Sequence, residues 1–195
     1  MPPGTTSTSS NPGLASGPCV LTGGQTGVDT LAAIAALAAG LPVQVVFPRR
    51  YLQEDGPLPP DRRRALHGAV LHELDDADFR SRTWTCVGLS DAVILVDPAG
   101  GDGCRETVRA ATQLGRPLLD LTPDLARQPE SANPAASAVA TAVSSFISRN
   151  RNQVLMIAGC RGSLLAGQNK TEAAEAGVAA TLAALVAAGW PTARA

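Results

Sequence analysis

The stretch Leu21-Thr22-Gly23-Gly24-Gln25-Thr26-Gly27-Val28-Asp29 decides how this chain reads. A short apolar run, residues 18–21, enters it, and an alanine- and leucine-rich segment, residues 30–39, leaves it. Apolar run, glycine turn and helix is the order of a first βα unit in a nucleotide-binding α/β domain. Backbone N–H groups approach an anion where no Cβ intervenes, and tight turns need φ values that other residues resist. The helix that follows aims its positive dipole end at whatever sits over the turn. The expectation is a phosphate-bearing small molecule cradled by Gly23, Gly24, Gln25, Thr26 and Gly27.

The same order recurs twice downstream. Ala92-Val93-Ile94-Leu95-Val96 is the clearest buried strand, and Asp97-Pro98-Ala99-Gly100-Gly101-Asp102-Gly103-Cys104-Arg105-Glu106 leads from it into a helix reaching Gly115. Gly100, Gly101 and Gly103 are expected to form a second wall of the site. A strand over residues 153–158 runs into a third turn, Gly159-Cys160-Arg161-Gly162-Ser163. Further strands are predicted at 42–47, 69–74 and 117–121, and helices at 27–39, 76–89, 134–149 and 172–188. Residues 51–64 and 122–133 read as loops, the former long enough to suggest a function. The implied architecture is α/β: a doubly wound, mainly parallel, Rossmann-like sheet of at least five strands with helices on both faces. In such a sheet, turns at the carboxyl ends of strands hold ligands near a topological switch point. Residues 1–16, rich in Pro, Gly, Ser and Thr, read as a disordered tail, and 17–190 as one domain.

Other nucleotide-binding schemes fit poorly. The first turn lacks the G-x-G-x-x-G spacing, and Pro48-Arg49-Arg50 stands where a dinucleotide site wants an acid for the ribose. Asp29 falls where a P-loop needs Lys. Arg82, Arg161 and Ser163 are candidate anion partners, guanidinium being suited to bidentate phosphate contacts. Asp29 is either a charge on the dipole of the first helix or a ligand contact. Aromatics make up 3% of the 195 residues and the net charge is −1, which disfavours a nucleic-acid surface. Hydrophobic residues at 45% and charged residues at 17% suit a globular chain, and no apolar run approaches a membrane span. Cys19, Cys86, Cys104 and Cys160 form no zinc signature. They read as buried thiols in a reducing cytoplasm, with Cys104 and Cys160 the two placed beside glycine turns where a ligand would lie. His67 and His72 have no partner cluster and read as surface residues, so no metal site is assigned.

The residues from Val20 to Asp29 closely resemble the opening motif of the putative molybdenum carrier family. The order that follows resembles it too: Glu54-Asp55-Gly56-Pro57, Arg82-Thr83, Ser90-Asp91 before a buried strand, and Ile157-Ala158-Gly159 with Arg161 and Ser163. That family is similar to the wider DprA/Lonely-guy-like (SLOG) superfamily of Rossmann-type domains. The resemblance implies binding of a nucleotide or nucleotide-derived cofactor, possible carriage of a molybdopterin-type cofactor, and a homo-oligomer. Lonely-guy phosphoribohydrolases, which cleave a base from a nucleoside monophosphate, use a P-G-G-x-G-T-x-x-E turn whose frame Pro98, Gly100, Gly101 and Gly103 resemble. Here Ala99 is inserted, Cys104 replaces Thr, and Thr107 stands where the catalytic Glu falls. Glu106 is one residue early, about 100° around the helix. N-glycosidic hydrolysis, for which Glu106 and Asp29 are the available carboxylates, is therefore the alternative to simple binding.

Overall fold

A computed structural model describes residues 17–126, 133–150 and 153–190. The tail expected at 1–16 lies outside the described residues. The chain builds one six-stranded sheet in which every pairing is parallel. Strand β1 (Cys19–Thr22) is wholly buried and runs through the first glycine turn into helix α1 (Val28–Ala38). Strand β2 (Val43–Phe47) pairs beside β1, with all five residues buried, as a strand covered on both faces should be.

The next segment, expected to be a loop, is ordered into short elements. A 3₁₀ turn (Arg49–Tyr51) precedes a small antiparallel pair, β3 (Leu52–Gln53) with β4 (Gly56–Pro57), and helix α2 (Pro60–Ala65). Strand β5 (Val70–Glu73) then adds to the outer edge of β2. Helix α3 (Phe79–Leu89) starts at Asp78, whose carboxylate accepts from the amides of Arg80 and Ser81. It returns the chain to β6 (Ala92–Val96), on the far side of β1, and α4 (Asp102–Gln113) follows the second glycine turn. Strand β7 (Leu118–Asp120) closes that edge. Helices α5 (Thr122–Ala126) and α6 (Asn133–Arg149) lead to β8 (Val154–Gly159), and α7 (Gly162–Gly167) and α8 (Thr171–Ala187) complete the fold.

The strand order is β5-β2-β1-β8-β6-β7. The last strand is inserted between the first and the sixth, so the order reverses at the centre of the sheet. Helices α1, α6 and α8 pack together on one face, and α3 packs against α4 on the other. The core between them is aliphatic, built on Leu21, Val45, Ile94, Leu155, Ile157 and Leu185. Among the described residues, no helix is long and apolar enough to cross a membrane.

Candidate functional site

Because β1, β8 and β6 are adjacent and parallel, the turns that follow them share one rim of the sheet. A cavity of about 380 Å³ opens there, at the point where the strand order reverses. The first turn of α4 supplies Gly101, Gly103 and Cys104, the third turn supplies Cys160 and Arg161, and α3 supplies Phe79, Arg80 and Arg82.

The first glycine turn contributes less to this cavity than its sequence promises. Of its five candidate residues only Gln25 reaches the wall. The Arg82 guanidinium lies where a Cβ on Gly23 would stand, and the Phe47 ring passes 2.5 Å from the position of a Cβ on Gly24. Gly27 sits so close to the third turn that a Cβ would fall 2.6 Å from the Gly162 nitrogen. These glycines permit backbone and side chains to pack, a use that sequence cannot distinguish from phosphate approach. The Thr26 hydroxyl is also engaged: it donates to Glu54 Oε1 and accepts from the Gly162 amide at 3.1 Å.

Arg82 and Asp29 meet as a buried ion pair, Nη1 to Oδ2 at 3.0 Å, joining α3 to the start of α1. Burial pushes the Asp29 carboxyl up, while the Arg82 charge and the amides of Gln25 and Gly159 pull it down. Arg82 is thus committed to a protein carboxylate as well as lining the cavity. Its Nε is buried and has no hydrogen-bond partner among the described residues.

The second turn is the open one. Asp97 Oδ1 accepts from the Gly100 amide at 2.7 Å and the Ala99 amide at 3.3 Å, folding the chain over itself. Gly100 takes φ +73°, the left-handed region that favours glycine. Gly101 is the N-cap of α4 and offers no capping side chain; the amides of Cys104 and Arg105 turn back to the Gly101 carbonyl at 3.1 and 3.2 Å, which leaves those of Asp102 and Gly103, at the cavity, without a side-chain cap. Gly101 and Gly103 line the cavity, whereas Gly100 shapes the turn behind them.

Glu54 stands in the sequence within a motif that discloses no role for it. Glu54 bridges the first and third turns: Oε1 accepts from the Ser163 amide at 2.9 Å, and Oε2 from the Ser163 hydroxyl at 2.5 Å. Arg161 Nε stands 3.7 Å away, its side chain 60% exposed. Burial works to raise the Glu54 carboxyl, but the Ser163 and Thr26 bonds outweigh it and hold the group below the usual carboxylate range. Ser163 therefore faces Glu54 and does not line the cavity. Gln53 and Arg62 reinforce the same brace, Gln53 Nε2 donating to the Gly24 carbonyl at 2.7 Å and Arg62 Nη1 to Gln53 Oε1 at 2.7 Å.

Glu106, expected to turn away, lines the cavity margin. Its Oε1 accepts from Trp84 Nε1 at 2.6 Å and Arg80 Nε at 2.8 Å, and its Oε2 from Arg109 at 3.1 Å. The Trp84 bond, with Arg80, holds this carboxyl low. A carboxylate so fully bonded is an anchor for α3 on α4 and a poor proton donor.

At the cavity wall lies a grouping that chain spacing conceals. Asp97, Cys104 and Cys160 are all buried, with their ligand atoms within 4.8 Å of one another. The Cys160 thiol donates to Asp97 Oδ1.

The crystal structure of a protein named "Putative molybdenum carrier protein", from Syntrophus aciditrophicus SB, is similar to this chain at 25% sequence identity and a TM-score of 0.67. The match covers 87% of this chain and 99% of that one. No curated protein matches. The sheet order, the three turns on one rim and the cavity between them accompany a match of residues 20–182 to the circularly permutated YpsA SLOG family, and the chain belongs to that family.

Proposed function

We propose that the protein binds a nucleotide, or a phosphorylated cofactor derived from one, in the cavity over β8 and β6. The observation that carries this reading is the uncapped amino end of α4 beside a cavity of about 380 Å³, within the size range of small-molecule sites. A phosphate placed there meets free amides and the helix dipole. Phe79, Met156 and Leu164 supply an apolar side for a ring, and Gln25 a polar group to orient it.

The cavity is not broadly cationic. Asp29, Glu54, Asp102 and Glu106 face it against Arg80, Arg82 and Arg161. The amides of α4, more than a positive field, must therefore receive the phosphate. Arg80 and Arg161, with side chains 62% and 60% exposed, are the two guanidinium groups free enough to leave Glu106 and Glu54 for a ligand. The similar protein from Syntrophus aciditrophicus is named as a molybdenum carrier, which suggests a molybdenum-bearing cofactor as one such cargo.

Thermal unfolding in the presence of inorganic phosphate, nucleoside mono- and diphosphates, and a phosphorylated pterin tests the reading. At least one organic phosphate should raise Tm, and Gly103→Asp should abolish the rise with the fold intact. A Cβ at Gly103 meets nothing within 4 Å, so the variant adds charge at the helix end without crowding it. A flat response across the panel overturns the reading. Chromatography of the same mixtures decides the alternative, because free base released from a nucleoside monophosphate would make the protein an N-glycosidic hydrolase. Molybdenum analysis and pterin fluorescence of the purified protein test carriage.

A further inference from the structure

The grouping of Asp97, Cys104 and Cys160 has no part in phosphate binding at α4, yet three elements converge to make it. Asp97 follows β6, Cys104 stands in the first turn of α4, and Cys160 follows β8. Each residue is at most 5% exposed. Among the described residues no arginine or lysine forms an ion pair with Asp97, so its charge is met only by amides and thiols. A buried carboxylate without a cation is costly.

The donor set suits a metal. Tetrahedral coordination at Zn–S distances near 2.3 Å places neighbouring donor atoms about 3.8 Å apart. The three ligand atoms here already lie within 4.8 Å of one another, so small side-chain rotations complete the triangle. Two thiolates select a borderline or soft ion over magnesium or calcium. The Gly100 amide fixes Asp97 from behind, the outer support that ligating carboxylates usually have. Cys104 and Cys160 also line the cavity, so a three-ligand ion would direct its fourth position toward bound ligand or water.

We propose that Asp97, Cys104 and Cys160 form a Cys₂Asp site for a divalent ion of the zinc class, open on its fourth side to the cavity. Binding releases the two thiol protons to solvent, and two thiolates with one carboxylate then surround the dication. This proposal does not depend on the nucleotide reading, since its test uses metal alone.

Cobalt(II) titrated into the full, reduced chain reports the site through thiolate-to-cobalt charge-transfer absorption. The expected result is one cobalt per chain, displaced by zinc, with Tm raised by zinc as for any ligand specific to the folded state. Cys104→Ser and Cys160→Ser should each weaken cobalt binding by about 100-fold or more, and Asp97→Asn by about 10-fold or more, given that losing even an outer-shell partner costs 10–100-fold. Cys19→Ser should leave it unchanged. Circular dichroism separates a lost site from a lost fold. If a cysteine variant unfolds, Asp97→Asn and the zinc-dependent Tm of the unaltered chain still decide. Absence of the charge-transfer band in the reduced chain, or its survival in the Cys104→Ser/Cys160→Ser double variant, overturns the site. So does recovery of Cys104 and Cys160 as a disulfide that, once reduced, takes up no cobalt.

Discussion

At the scale of single residues, the glycines of the turns separate into two kinds. Gly27 combines φ +79° with a backbone neighbour pressed against its Hα face, the Cys160–Gly162 segment, which cannot withdraw without moving the third turn. Gly100 has a similar φ, +73°, but a Cβ there would meet nothing within 4 Å. Gly100→Ala should therefore cost only the left-handed conformation, about 1 kcal/mol. Gly27→Ala adds overpacking against backbone and should cost about 3 kcal/mol or more. Urea unfolding of the two variants checks this, and equal losses would show that the first and third turns are not packed as described. The glycine pattern was plain in the sequence, but its two uses were not. Which atoms stand where a Cβ would be is decided by Arg82, Phe47 and Cys160, residues distant along the chain.

At the scale of elements, the buried pair of Arg82 and Asp29 ties α3 to α1 across the first turn. Removing one member leaves the other charge buried, which typically costs 3–5 kcal/mol, whereas removing both with apolar replacements restores packing without a stranded ion. Arg82→Leu should thus destabilise the protein by about 3–5 kcal/mol. Asp29→Leu/Arg82→Leu should recover much of that loss, and a double-mutant cycle in urea measures the difference. Strictly additive losses would argue against a pair. Much of the surrounding frame was legible because α1 is bounded by glycine turns and the strands β1, β2, β6 and β8 are short, largely apolar segments suited to burial on both faces. The β3–β4 hairpin and helices α2, α5 and α7 were not. Two-residue strands and helices of five or six residues carry no period to read, and here the bonds of Gln53, Glu54 and Arg62 tie the hairpin, α2 and α7 to the first and third turns. The candidate site followed the same division. The turns could be located from sequence, but the bridge made by Glu54 and the meeting of Cys104 with Cys160 arise only when β8 enters between β1 and β6.

At the scale of the whole molecule, the carboxylates divide in their response to acid. Glu54, Asp55, Asp78 and Glu106 are all held below the usual range by hydrogen bonds and arginine partners, whereas burial pushes Asp29 the other way. A carboxyl lowered in the folded state contributes stability that is complete above its unfolded value and is lost as pH falls through the folded one. For Glu54 the unfolded value is about 4.3, so its contribution is whole above about pH 5.5 and declines below about pH 4. Asp29, raised on folding, has the opposite sign, so a bare stability profile mixes the two. A difference measurement isolates Glu54. Glu54→Gln keeps the shape but weakens the charge-assisted bonds to Thr26 and Ser163, and should cost about 2 kcal/mol at pH 7. That gap from the unaltered protein should narrow steadily between pH 5 and pH 3, as protonation makes the two side chains alike. Denaturant unfolding of both chains across that range is the measurement. A gap that stays constant would mean that folding does not favour the charged form of Glu54, and one that widens in acid that folding favours the neutral form; either result would withdraw the charge assigned to that bridge.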